Sequence, residues 1–256
     1  MHRESQPDSI QGITQAGRAV LALRDMIVSG VLEDGARYTE VQLAAMLSMS
    51  RTPIRSALQR LTDEGMLVPM AAGGYTVRGF LPEEIFEAIE IRGMLEGLCV
   101  RLLAERERDE VMLARLVLIA DRIEAVLLAD RFTQASIVSY AQLNAEFHQT
   151  LLDACGSQLL QHEVARANAR PFGSASALVG MHEPDQAARM HLWVGQDQHR
   201  AVIEAIGSRQ GGRAEQIMRE HARLSQRNLS RALETKRPLE GIQGGKLIRR
   251  EREAEA

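Results

Sequence analysis

Several familiar signatures are missing from this 256-residue sequence. Its two cysteines, Cys99 and Cys155, sit in apolar surroundings without CxxC spacing, which excludes a disulfide framework and a thiolate zinc site and fits a reducing compartment. No stretch approaches the roughly 18 uninterrupted apolar residues of a membrane span, and the polar start MHRESQPDSIQG lacks the apolar core of a secretory signal, so a cytoplasmic chain with no membrane partner is expected. Charge of one sign is missing as well: 31 basic residues face 34 acidic ones for a net charge of -3, so no bulk positive excess points to nucleic acid. Lysine is nearly absent. Lys236 and Lys246 are the only two, and arginine supplies the rest; its planar donor fork suits phosphates and base edges, although genomic base composition explains the skew equally well.

Aromatics are few, with one Trp, three Tyr and five Phe, and β-branched alternations are scarce; long Leu/Ala/Arg/Glu runs of helical period take their place. A mainly α protein follows. With 45% hydrophobic and 25% charged residues, the chain can fill two modest cores, which excludes disorder as a description of the whole. One stretch breaks the helical pattern. Leu67-Val68-Pro69 and Tyr75-Thr76-Val77 flank Ala71-Ala72-Gly73-Gly74, which reads as two short strands and a small-residue tip. Before it, helices are expected from Ala16 to Ser29, from a Thr39 cap that serves the Val41 and Gln42 N–H groups, and from a Ser50 cap to Glu64, with Pro53 tolerated in the first turn. After the junction Gly79-Phe80-Leu81-Pro82, six helical blocks (82–105, 109–129, 132–155, 157–181, 185–207 and 211–236) imply an antiparallel α-helical bundle, six helices or seven if a block near Pro171 or Pro184 splits. The expected organisation is a disordered tail over 1–15, a winged helix-turn-helix over 16–80, an all-helical domain over 81–236 and a mobile tail over 237–256.

The third helix presents Arg51, Thr52 and Arg55 at its N-terminal end, with Gln59 farther along the same side. Arg51 and Arg55 are one turn apart, where a recognition helix meets base edges in the major groove, and Thr52 suits a phosphate. Gly73 and Gly74 leave the wing tip free of bulk for a close approach to the duplex. For an arbitrary arginine pair, a solvated helix face is the ordinary reading. Here the run Ser50-Arg51-Thr52-Pro53-Ile54-Arg55-Ser56-Ala57-Leu58-Gln59-Arg60-Leu61, followed by Glu64-Gly65-Met66-Leu67, resembles the DNA-binding domain of GntR-family transcriptional regulators, a likeness covering about residues 16–80. It implies base and phosphate contacts from Arg51 and Arg55. The chain departs from many members at Val41, where they carry a charged residue, and at its wing tip, which lacks the frequent His or Lys. Residues 1–80 balance arginines against acids one for one, so attraction to DNA must rest on placement, and a homodimer on an inverted-repeat operator is expected.

The bundle holds a second constellation. Asn144 and His148 share a helix face four residues apart. His199 stands about 10 residues before the turn near 209 and His221 about 12 after it, roughly 15 and 18 Å at the helical rise, so the two can face each other across an antiparallel pair. Three imidazoles and an amide oxygen would suit zinc, nickel or a similar divalent ion, whereas a lone histidine on a partly apolar helix is more often a core residue. Glu90-Ile91-Arg92-Gly93-Met94-Leu95-Glu96, Asn144-Ala145-Glu146-Phe147-His148, His199-Arg200-Ala201-Val202-Ile203-Glu204-Ala205-Ile206 and Arg219-Glu220-His221 resemble the FCD effector domain of FadR-type GntR regulators, over about residues 83–230. That resemblance implies Asn144, His148, His199 and His221 as metal ligands, with Asn144 standing where many members have Asp. Six helices favour the VanR-like branch.

With neutral protein ligands an ion keeps its full formal charge, and an open position could take the carboxylate of a small organic acid. Arg92 is a candidate second anchor for that carboxylate, with an intrahelical pair to Glu96 as the alternative, and Gln196 a candidate to orient ligand or water. His162, His182 and His191 have no arguable partner. Together these features describe a ligand-responsive DNA-binding transcriptional regulator, expected to repress, with no catalytic residues. The alternative is a metal-dependent enzyme using the histidine cluster, the N-terminal unit serving as an interaction module. It needs a general base, and Glu146 is turned away from His148.

Overall fold

The computed structural model describes residues 14–106, 109–179, 184–234 and 244–249. The chain forms two compact units, one ending at Gly79 and the other beginning at Phe80. No helix among the described residues is long and apolar enough to cross a membrane.

In the first unit, α1 (Gln15–Val28) opens on Thr14, whose Oγ1 accepts from Gly17 N at 3.1 Å, and buries Ala19, Val20, Leu23 and Ile27 against α3 (Arg51–Asp63). α3 answers with Ile54, Ala57, Leu58 and Leu61, all fully buried. Between them, α2 (Glu40–Met46) starts in a capping box: Thr39 Oγ1 accepts from Gln42 N at 3.3 Å, and Gln42 Oε1 accepts from Thr39 N at 2.9 Å. Ser48, at φ 52°, turns the chain from α2 into α3. The expected Ser50 cap makes no side-chain bond. Pro53 occupies the third helical position and has no N–H to offer, which removes one of the two groups such a cap would serve.

The hairpin is present as β2 (Leu67–Pro69) and β3 (Tyr75–Val77). A strand not expected from the sequence, β1 (Arg37–Tyr38), completes an antiparallel sheet of order β1-β3-β2, with Arg37 opposite Thr76 and Tyr38 opposite Tyr75. Two residues are too short to carry a period. Arg37 clasps the wing, its Nε donating to Gly73 O at 2.6 Å and its Nη2 to Ala72 O at 2.8 Å. Gly73 and Gly74 have φ of 80° and 88°, and a Cβ on Gly74 would come within 2.7 Å of Tyr38 O. Gly74 is therefore required by the sheet itself, whatever approaches the tip.

The second unit contains six α-helices among the described residues: α4 (Pro82–Glu105), α5 (Glu110–Leu128), α6 (Gln134–Ala154), α7 (Gln158–Ala169), α8 (Gln186–Gly207) and α9 (Gly211–Glu234). Their apolar faces close one core around Leu116, Ile123, Phe147, Val202 and Met218. α7 stops at Ala169 and does not run to 181 as its pattern suggested. Arg170 precedes Pro171 and is extended (φ -68°, ψ 147°), and Phe172 follows at φ 60°. α4 and α9 pack most closely: a Cβ on Gly93 would stand 2.7 Å from that of Ala222. Gly93→Ala is expected to cost about 1–3 kcal/mol through overpacking, read as a fall in melting temperature.

The C-terminal stretch also departs from expectation. Residues 244–249, read as part of a mobile tail, form a 3-10 turn at Gly245–Leu247. Leu247 is 2% exposed, Phe80 N donates to Leu247 O at 2.6 Å, and Arg249 N donates to Phe80 O at 2.9 Å. Phe80 packs edge-on against Phe172, with ring centroids 6.4 Å apart. Leu247 and Ile248 are an apolar pair too short for a helical period yet sufficient to dock. The remaining expected tail residues, 1–13, 237–243 and 250–256, lie outside the described residues, as do residues 235 and 236 of the last helical block.

Candidate metal centre and DNA-reading face

α6, α8 and α9 bring His148, His199 and His221 together inside the bundle, their donor nitrogens all within 4.8 Å of one another. His221 Nε2 lies 3.2 Å from His148 Nε2 and 3.2 Å from His199 Nε2. Neighbouring nitrogens on a tetrahedral ion with bonds of about 2.0–2.1 Å stand roughly 3.3 Å apart.

The neighbours of the outer ring atoms bear on which nitrogens carry protons. Gln196, fully buried, donates through Nε2 to Ala120 O at 2.9 Å and to Glu124 Oε1 at 3.1 Å, groups that only accept. Its Oε1 therefore faces His199 Nδ1 at 3.2 Å as an acceptor, placing the proton there. Gln198 Oε1 lies 3.2 Å from His221 Nδ1, and Glu96 Oε1 lies 3.3 Å from His148 Nδ1, off the line of a hydrogen bond. With the proton on Nδ1 in all three rings, as Gln196 fixes it for His199, three Nε2 lone pairs would converge with no hydrogen between them. Such an arrangement is repulsive unless a cation shares it. Burial, then the neighbouring imidazoles, push His199 well below its ordinary value; burial, then His148 and Arg92, do the same to His221. Both are neutral and able to ligate at neutral pH.

Asn144 is 2% exposed on the same helix as His148 and donates through Nδ2 to Ser176 Oγ at 3.1 Å. With His191, His221, Tyr140, Ser225 and Asn228 it lines a cavity of about 30 Å³, room for a water or two but not a metabolite. Arg92, 1% exposed, adopts the intrahelical pairing: Nη1 donates to Glu96 Oε2 at 2.9 Å, Nη2 reaches Ser225 Oγ at 3.5 Å, and Nε is buried without a hydrogen-bond partner. Gln196 spends its amide on Ala120, Glu124 and His199, so it orients a histidine and not a ligand.

Sequence reasoning missed Glu96 as a partner of the cluster, along with Gln198, Ser176 and His191. Burial alone would raise the Glu96 carboxyl, but the adjoining His148 ring and the Arg92 guanidinium outweigh it and hold it below the usual carboxylate range. A carboxylate so held is a poor proton acceptor, and Glu146 is engaged by Arg122 at the surface.

In the first unit, Arg51, Thr52, Arg55 and Gln59 are exposed on α3. Glu40 at the start of α2 gathers both arginines: Arg55 Nε and Nη2 donate to its two oxygens at 2.9 Å each, and Arg51 Nη2 reaches Oε2 at 3.3 Å. The Arg55 hydrogen bond holds the Glu40 carboxyl below its usual range. Gln59 donates to Asp63 Oδ1 at 3.0 Å.

Comparison with known proteins matches residues 15–77 to the family "Bacterial regulatory proteins, gntR family" and residues 87–224 to the "FCD domain". The chain is 37% identical over 128 residues to the Nta operon transcriptional regulator of Aminobacter aminovorans, covering 50% of this chain and 57% of that protein. It is 29% identical over 135 residues to the gluconate operon transcriptional repressor of Bacillus licheniformis, 53% of each. The solved structure of E. coli McbR/YncC shares the fold, with a TM-score of 0.61 at 21% identity, over 88% of this chain and 100% of that one.

Proposed function

This chain belongs to the FCD-containing branch of the gntR family of bacterial regulatory proteins, and on that premise we propose that it is a metal-dependent sensor of a small organic acid that controls its own hold on an operator. The matched relatives are transcriptional regulators, not enzymes, and the metalloenzyme alternative falls with that. The observation that carries the sensor reading is the meeting of three Nε2 atoms, that of His221 standing 3.2 Å from each of the other two. His148, His199, His221 and the Asn144 oxygen would hold zinc or nickel, which supplies a Lewis-acidic position for a carboxylate. Arg92, its Nε buried without a partner beside Ser225 and the cavity, is the proposed second anchor. A cavity of about 30 Å³ must open for any metabolite to enter, which ties occupancy to a conformational change.

The first unit reads DNA through Arg51, Thr52, Arg55 and Gln59, with the wing at Gly73 and Gly74 beside the backbone. The protein acts in the cytoplasm as a homodimer on an inverted repeat. Repression relieved by ligand is the proposed sign, in keeping with the name of the gluconate operon repressor. Operator and effector then alter each other's affinity by one common factor.

Elemental analysis and thermal melts test the sensor. Chelator-stripped protein is expected to regain about one zinc or nickel per chain and to melt at higher temperature with it. Acetate, succinate and citrate are expected to raise the melting point further only in metal-loaded protein. Unchanged stability and acid response after chelation would overturn the metal role.

A further inference from the structure

Within the proposed ligand set, Asn144 differs in kind from the imidazoles. A carboxylate offers two equivalent oxygens, whereas an amide carries one oxygen that can bind a cation and one NH2 group that cannot. Its terminal torsion is broad and roughly two-fold, so α6 alone does not decide which end faces the site. Ser176 decides it. The Ser176 hydroxyl donates its single hydrogen to the Ala141 carbonyl at 2.8 Å, so toward Asn144 its oxygen can only accept, and Asn144 Nδ2 donates to it at 3.1 Å. The NH2 group is thereby held toward Ser176 and Oδ1 is turned the other way. Ser176 does not belong to the bundle helices: it lies in the turns after α7, between Ala175 and Val179, two residues that line the cavity.

We infer that Ser176 is the positioning residue for the metal's oxygen ligand, making cation affinity depend on the segment that covers the cavity. The inference rests on the metal reading above. Opening that segment withdraws the acceptor, frees the amide to flip and weakens the site; closing it restores the oxygen. An aspartate at position 144 would not need this device, because either of its oxygens serves.

A double-mutant cycle tests the assignment, with zinc affinity read by chelator competition and folding checked by thermal melts. Ser176→Ala is expected to weaken zinc about 10-fold or more, within the ~10–100-fold range for loss of a residue that orients a ligand. Ser176→Thr, which keeps the hydroxyl, is expected to retain wild-type affinity. In an Asn144→Asp background, Ser176→Ala is expected to change zinc affinity less than about two-fold, since no amide remains to orient. Wild-type affinity in Ser176→Ala would overturn the inference while leaving the metal site standing. An equal loss in both backgrounds would overturn it too, because Ser176 would then act through packing. Failure of the wild-type protein itself to bind zinc would remove the metal reading and this inference together.

Discussion

Replacing His199 by alanine is expected to weaken zinc binding by more than about 100-fold, beyond the ~10–100-fold that loss of an orienting partner costs. His199 is fully buried, its Nδ1 is fixed by Gln196, and its Nε2 stands 3.2 Å from that of His221. Neither Glu96 nor Gln198 can take its place, because each is already turned toward the outer nitrogen of another imidazole. The loss has a thermal readout. At a zinc concentration 100 times the wild-type dissociation constant, the metal stabilises the folded chain by about 2.7 kcal/mol; a 100-fold weaker site at the same concentration gains only ~0.4 kcal/mol. The zinc-induced rise in melting temperature should therefore nearly vanish in His199→Ala. An undiminished rise would place the metal elsewhere.

The same cluster shows which parts of a site can be read from a sequence. Asn144 and His148 are joined by helical spacing, and counting outward from the α8–α9 turn is enough to bring His199 level with His221. Those relations lie within one helix or one hairpin of helices, where the register is known. Glu96, Ser176 and Gln198 became partners through the rotational phase of α4, the break after Ala169 and the packing of α8 on α9, none of which a periodicity carries. The fold divides along the same line. The long helices declared themselves through their apolar stripes, while β1, two residues long, and the Gly245–Leu247 turn had no repeat to show. The expected Ser50 cap is not made; Pro53 at the third helical position removes one of the two N–H groups it would have served.

Arg51→Ala and Arg55→Ala are each expected to weaken specific DNA binding by roughly five- to 150-fold, the loss of one arginine–guanine contact. The arginine face was legible from spacing; its restraint by Glu40, 11 and 15 residues away on another helix, was not. That restraint supplies a second arm to the test. Arg55 makes a two-point pair with Glu40, and both arginines must leave that carboxylate before they can meet a base or phosphate. Glu40→Gln should therefore act in the opposite direction, tightening binding by about two- to five-fold, as expected when a surface ion pair and its negative charge are removed from a phosphate-facing site. The side chains of Arg51 and Arg55 are 62% and 65% exposed, so neither arginine change should lower the melting temperature appreciably. Fluorescence anisotropy on a duplex that the wild-type protein selects from a random pool, measured at several salt concentrations, separates the effects. Undiminished binding by both arginine variants would mean that α3 is not the reading helix. If the Arg55→Ala loss were unchanged in Glu40→Gln, the two residues would not compete, and Glu40 would serve only to join α2 to α3.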